Sequence, residues 1–175
     1  MVNTESPVER GMFLEAMRCV ASTVAVVTTD GEAGRAGLTI SALSSLSAEP
    51  PSVLICINRC SGVLGLIQHN KSFCVNLLGR QHLEIAEIFA GRVPHRRHDR
   101  FACANWASGA TGAPMLDEAM VALDCELASH LSYASHEILI GRVAHIRIAR
   151  QEPLVYLDRS YYEVGAPARS TEVSR

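Results

Sequence analysis

From Thr23 to Asn58 the chain changes polarity in short periods. A run of mostly β-branched residues, Thr23-Val24-Ala25-Val26-Val27-Thr28-Thr29, leads into a turn punctuated by Gly31, Gly34 and Gly37. Hydroxyl and apolar residues then interleave through Leu38-Thr39-Ile40-Ser41-Ala42-Leu43-Ser44-Ser45-Leu46-Ser47, and Pro50-Pro51 opens an apolar run, Ser52 to Asn58. A repeat near two is the mark of half-buried strands. Upstream, Val8, Met12, Phe13, Ala16, Met17 and Val20 recur at helical spacing behind Ser6-Pro7-Val8-Glu9, a capping box with proline at the first helical position.

Further along, Ser61 can cap a short helix through Ile67, and 71–78 reads as a strand. A second helix, 81–90, carries Leu83, Ala86, Phe89 and Ala90 on its apolar side, with Gly91 placed to end it. The stretch 91–113 has no period, and a loop of that length in a compact domain is functional or disordered. Two long strands, 120–127 and 136–148, flank a turn near Ser132-Tyr133-Ala134-Ser135, and 153–156 is a short final strand. Residues 1–164 therefore form a single domain, followed by a disordered tail, 165–175.

Strands outnumber helices, neighbours lie close enough to pair antiparallel, and crossover helices are scarce. The fold class that follows is mainly β, a closed antiparallel barrel with peripheral helices. A glycine-rich turn after a strand also begins a dinucleotide-binding fingerprint. That motif must open a helix, whereas Leu38-Thr39-Ile40-Ser41 continues extended, so a Rossmann domain is excluded.

Composition removes several function classes. At 175 residues and a formal charge of −2, the chain can bury a substantial core and carries no basic footprint for nucleic acid. Its longest apolar runs fall far short of the roughly 20 residues a membrane span needs. Nothing at the start resembles an export signal, which places the protein in the cytoplasm. The six cysteines are scattered, read as reduced thiols, and Cys56-x-x-x-Cys60 lacks zinc-ribbon spacing; no metal site is expected.

The hydroxyl ladder has two readings. One is an edge strand with Ser and Thr on its solvent face. The other is a row of donors beside an apolar wall, suited to a flat phosphorylated cofactor. The start of the helix after Ser61 would add free amides and the positive end of a helix dipole. His95 and His98 around Arg96-Arg97 are a solvated basic patch or an electrostatic contact for a phosphate.

The ordered succession of several short segments resembles the flavin reductase-like family, the short reductases that supply reduced flavin to two-component monooxygenases. The matching residues are Phe13-Leu14-Glu15-Ala16-Met17, Thr23 to Thr29, the Gly37 to Ser47 ladder, Pro50-Pro51 and Cys56-Ile57-Asn58-Arg59-Cys60-Ser61. They continue with Phe73 to Leu78, Phe89-Ala90-Gly91, Asp99-Arg100-Phe101, Trp106, His136, Ile140-Gly141-Arg142-Val143 and Pro153-Leu154-Val155-Tyr156.

That resemblance implies a split β-barrel of antiparallel, Greek-key type binding FMN or FAD, usually as a homodimer with flavin at the subunit boundary. It implies NADH or NADPH as co-substrate, with hydride passing from nicotinamide to flavin N5. Residues proposed for the flavin phosphate are Ser41, Ser45 and Ser61, with Arg97 or Arg100. Thr39, Ile40, Ala42, Cys56, Ile57 and Asn58 would line the ring, and Phe101 and Tyr161 belong to motifs near it. His136 is the catalytic candidate at the nicotinamide site, or else a strand-end histidine satisfied by backbone. The family's Gly-Asp-His turn here reads Ala134-Ser135-His136, so the acid beside the histidine is replaced by serine. Reduced flavin would pass to a partner monooxygenase of the 4-hydroxyphenylacetate type. Two alternatives share these motifs: a flavin-dependent cob(II)alamin or corrin reductase, and a flavin-binding module without turnover.

Overall fold

A computed structural model describes residues 8–165. Ser6 and Pro7 of the expected capping box, and 166–175 of the expected tail, lie outside the described residues. Helix α1 (Arg10–Arg18) precedes β1 (Ser22–Thr23), β2 (Ala25–Thr29), β3 (Ala36–Ile40), β4 (Leu43–Ala48) and β5 (Pro51–Asn58). Helix α2 (Gly62–Asn70), β6 (Ser72–Leu77), helix α3 (Leu83–Phe89), β7 (Trp106–Ser108) and β8 (Pro114–Leu116) follow. The chain ends in β9 (Val121–Tyr133), β10 (His136–Ile148), β11 (Leu154–Leu157) and β12 (Ser160–Glu163). The protein is mainly β with peripheral helices.

Seven strands form one antiparallel sheet in the order β3-β2-β6-β9-β10-β5-β4, flanked by a three-stranded sheet β1-β11-β12 and the pair β7-β8. Strands β3 and β4 occupy opposite edges, yet only Ser41 and Ala42 separate them in sequence. Three Cα–Cα steps span at most about 11 Å. The sheet must therefore curl until its edges approach each other at that corner. There Cys56 N–H donates to Ala42 O at 3.1 Å. Among the described residues no ladder joins β3 to β4, so the edges are linked by a corner of chain.

Side-chain alternation sorts the core into two clusters. Ala25, Val27, Ile55, Ile57, Phe73, Val75 and Leu139 point to the inside of the curl, where they cluster with Leu64 and Ile67 of α2. Val24, Val26, Cys74 and Ala122 point the other way, onto Ile85, Ala86, Ile88 and Phe89 from α3 and its flank, with Met115 and Leu116 of β8. Strand β2 is buried along its whole length, which is why Ala25 to Thr29 shows no clean alternation.

Asn76, fully buried on β6, ties β8 to the sheet. Its amide nitrogen donates to Val26 O at 3.1 Å and Thr28 Oγ1 at 3.1 Å, and its Oδ1 accepts from Leu116 N–H at 2.7 Å. Replacing Asn76 by alanine leaves a buried N–H without a partner. Chemical denaturation should show a loss of about 2–3 kcal/mol.

The structure departs from the sequence reading in several places. The hydroxyl ladder is two strands, β3 and β4, because the chain must turn the corner at Ser41-Ala42. The 91–113 stretch holds two 3₁₀ turns, Pro94–Arg96 and Phe101–Cys103, and β7. Strand β12 was not anticipated. Helix α1 forms, but no residue in it is buried: Met12, Phe13 and Met17 remain 65%, 57% and 48% exposed.

Candidate active site

The corner where β3 ends carries Ser41, which together with Tyr156 of β11 forms a ridge between two adjoining cavities. The larger, about 330 Å³, has an apolar wall from α1 (Leu14, Met17) and Val20, with Arg18 and Arg159 at its margin. The smaller, about 140 Å³, is bounded by Thr39, Ile40, Arg92 and Tyr161. The trough thus combines apolar wall, an exposed hydroxyl, tyrosine rings and cations on both sides of the ridge.

Arg92 is fixed in place. Its guanidinium donates to Glu87 at 2.8 Å and to the Tyr156 hydroxyl at 3.3 Å, and its centre lies 6.0 Å and 5.6 Å from the Tyr156 and Tyr161 ring centroids. Those rings meet edge to face at 5.2 Å, a geometry that adds to their burial energy. Hydrogen bonding to Tyr156, and secondarily to Glu87, holds the Arg92 pKa above its ordinary value despite partial burial. Burial, with the Glu87 charge second, pushes the Tyr161 phenol up to about 12. Tyr161 therefore remains an O–H donor at any working pH.

Other proposed residues fall nearby or elsewhere. Thr39 spends its hydroxyl on Ala86 O at 2.7 Å, and Ile40 is buried. Cys56 is half-buried at the corner beside Ala42, whereas Ile57 points into the core and can offer only main chain. Asn58, two residues on, opposes His136 in the β5–β10 register. Its side chain accepts from Cys60 N–H at 2.9 Å, shaping the turn toward α2. The Ser135 hydroxyl sits 2.9 Å from His136 Nδ1, so the serine occupies the orienting position expected of an acid. Beneath them Glu137 is buried and accepts from Ser132 and His130, each at 2.5 Å; these bonds hold its carboxyl below the usual range.

Ser61 caps α2, accepting from Val63 N–H at 3.4 Å. Val63 in turn lines a basic cavity of about 220 Å³ with Arg35, Arg97, His98, Arg100 and Phe101. Arg100 donates to Gly37 O at 3.4 Å, and Arg35 lies 4.7 Å from the Phe101 ring centroid. This cavity borders the start of β3, several residues from Ser41. Ser45 projects from β4 opposite Val53, outside these cavities.

The structure thus unites Thr39, Ile40, Ser41 and Tyr161 in the trough, gathers Arg97, Arg100 and Phe101 in the basic cavity, and sets Cys56, Asn58 and His136 along the neighbouring strands. Sequence reasoning missed Arg92, Tyr156 and Arg159 as site residues. Tyr156 and Tyr161 meet through a hairpin whose turn, Asp158-Arg159, has positive φ at both positions. Such turns normally advertise themselves with glycine or asparagine, and here neither is present.

A trough of this make-up can hold a flat heterocycle that has a polar edge and a negative charge. Residues 17–165 match the flavin reductase like domain. The FMN reductase (NADH) RutF of Bradyrhizobium diazoefficiens is 40% identical over 154 residues, covering 87% of this chain and 84% of that protein. The protein of the same name from Escherichia coli O139:H28 is 40% identical over 162 residues, covering 92% and 98%. The styrene monooxygenase flavin reductase of Pseudomonas putida S12 is similar in structure, with a TM-score of 0.79 and 25% identity over 89% of this chain and 99% of that one. On the extent of these matches, the chain belongs to the flavin reductase like domain family.

Proposed function

We propose that the protein is an NADH-dependent FMN reductase whose flavin binds in the trough at the β3–β4 corner. The observation that carries this reading is the shared ridge of Ser41 and Tyr156, which gives one flat site an apolar wall, hydroxyl donors and flanking arginines. The names of the relatives at 40% identity support FMN and NADH as substrates.

The residues present suit flavin mononucleotide. Ser41 and the Ala42 main chain can meet the polar edge of the ring, Tyr156 and Tyr161 its apolar body, and Arg18, Arg92 or Arg159 the phosphate. Flavin supplies hydride acceptance at N5, a chemistry that belongs to the ring itself. The protein's part is positioning, since hydride transfer needs the two rings held in near contact. His136, oriented by Ser135, lies on the strand beside the corner and can donate a hydrogen bond to a nicotinamide carboxamide. The basic cavity around Arg97 and Arg100 is available to a phosphate of the dinucleotide.

The proposal includes a homodimer of split-barrel subunits in the cytoplasm. A nine-residue helix with an exposed apolar stripe does not hold together in water alone. A second copy covering α1 would stabilise it and close the larger cavity. Light scattering should give twice the 18.9 kDa chain mass, and Met17→Glu should shift the protein toward monomer while raising the KM for FMN.

A partner oxygenase would consume the reduced flavin, as the name of the styrene monooxygenase flavin reductase suggests for that protein. The test is anaerobic NADH oxidation by purified protein with free FMN, FAD or cob(II)alamin as acceptor. Repeated turnover with FMN supports the reading. Turnover only with the corrinoid replaces it, and no turnover with any acceptor leaves a binding module.

A further inference from the structure

Residues 128–136, at the tip of the β9–β10 hairpin, are all exposed, and the first buried side chain beyond the turn is a carboxylate, Glu137, 3% exposed. Its Oε2 accepts from the Ser132 hydroxyl at 2.5 Å. Its Oε1 accepts from His130 Nδ1 at 2.5 Å, and Gln68 Nε2 of α2 approaches the same oxygen at 3.5 Å. Ser132 stands directly opposite Glu137 in the β9–β10 register. One carboxylate thus gathers both strands of the tip and a residue of α2.

Burying a carboxylate is unfavourable unless it is well hydrogen-bonded. A leucine there would fill similar space, but apolar contact has no direction, whereas a hydrogen bond fixes an angle as well as a distance. Direction matters at this tip. Leu131 and Tyr133 are 63% and 75% exposed, so apolar packing does little to hold it, and Ala134 in the turn has a φ of 47°, a left-handed conformation that strains alanine. The turn's main chain is tied by Arg59, whose N–H donates to Ser135 O at 3.0 Å and whose guanidinium donates to Ala134 O at 3.4 Å. Glu137 supplies the tie on the side-chain face. His136 sits between the turn and that tie. It opposes Asn58, two residues or about 7 Å along β5 from Cys56, whose N–H donates to Ala42 O at the corner. A tip that slides or splays therefore moves His136 relative to the trough.

We propose that Glu137 is a positioning residue for His136: by collecting Ser132, His130 and Gln68 on its carboxylate it locks the hairpin tip, and so sets the place from which His136 meets the nicotinamide carboxamide. This role rests on the proposed contact between His136 and nicotinamide, and the test separates the two.

Glu137→Leu keeps the site filled and removes both acceptor oxygens. Steady-state oxidation of NADH with FMN should show the KM for NADH raised about three- to tenfold, the range a weakened hydrogen bond gives, with the KM for FMN within about twofold of the parent. Glu137→Gln, whose amide oxygen still accepts and whose NH2 can donate to Ser132, should restore most of the KM for NADH. In a His136→Ala background Glu137→Leu should add nothing further, because the two act as one unit. By NMR, cross-strand NOEs between His136 and Asn58 should weaken in Glu137→Leu while those between Ile140 and Leu54, deeper in the same strand pair, persist. His130→Ala/Ser132→Ala strips both donors at exposed positions, so it should fold and reproduce the effects if Glu137→Leu does not fold. NOEs at His136 identical to the parent's, a matching rise in the KM for FMN, or the same rise for NADH with and without His136 would overturn the proposal. If His136→Ala itself leaves the KM for NADH unchanged, the nicotinamide contact fails, and the NOEs still decide whether Glu137 positions His136.

Discussion

Replacing Gly141 by alanine is expected to destabilise the protein by about 3 kcal/mol, at the upper end of the usual cost of overpacking a core. Gly141 lies where the β9–β10 register shifts. A Cβ built there would meet Phe73 Cζ at 2.4 Å and Cys125 Cβ at 2.9 Å. Phe73 and Cys125 are both fully buried, so neither can swing aside without disturbing the inner cluster. In a chain of this size the loss corresponds to a fall in melting temperature of about 6–12 °C. Contact between the two sites makes a further test available. Phe73→Leu creates room opposite the new methyl, so the double variant should be more stable than the sum of the single losses. Strict additivity would mean that the ring is not what the methyl strikes.

Gly141 stood out in the sequence only as part of a short motif, and the reason for glycine appears only when β9 and β10 are paired. That division recurs throughout the molecule. Strand β10 runs from His136 to Ile148, the bounds expected from sequence, and its first half alternates between buried and more exposed residues. Strand β9 extends six residues beyond the expected end at Leu127. Its tip is exposed on both faces, so nothing imposes a hydrophobic period there. The corner at Ser41-Ala42 was legible as a ladder of hydroxyls, but the turn within it was not, since it arises from two sheet edges being drawn together.

The candidate site was legible in the segment that carries most of it and, through the family resemblance, in Tyr161. Thr39, Ile40 and Ser41 are contiguous and could be named from sequence. Tyr156, Arg92 and Arg159 come from a strand, a helix end and a hairpin turn, and only tertiary packing assembles them around Ser41. Ile57 reads well as a neighbour of Cys56 and Asn58, yet strand alternation turns its side chain inward.

Ser41→Trp should raise the KM for FMN at least tenfold, equivalent to about 1.4 kcal/mol or more of lost binding. Ser41 is exposed on the ridge shared by both cavities, so an indole there would occupy the place proposed for the flavin ring. Because the residue packs into no core, the melting temperature should stay within about 2 °C of the parent. The expected pattern is a KM effect confined to flavin. NADH affinity, measured with saturating flavin, should change little. A stable variant with unchanged FMN kinetics would remove the trough from consideration and direct attention to the basic cavity around Arg97 and Arg100.

The most direct test of the central claim is a crystal structure of the protein soaked with FMN. The account predicts isoalloxazine density over Ser41 and Tyr156, with Arg18, Arg92 or Arg159 at the phosphate and a second subunit covering α1. Flavin density confined to another surface, with the Ser41–Tyr156 trough left to solvent, would contradict it.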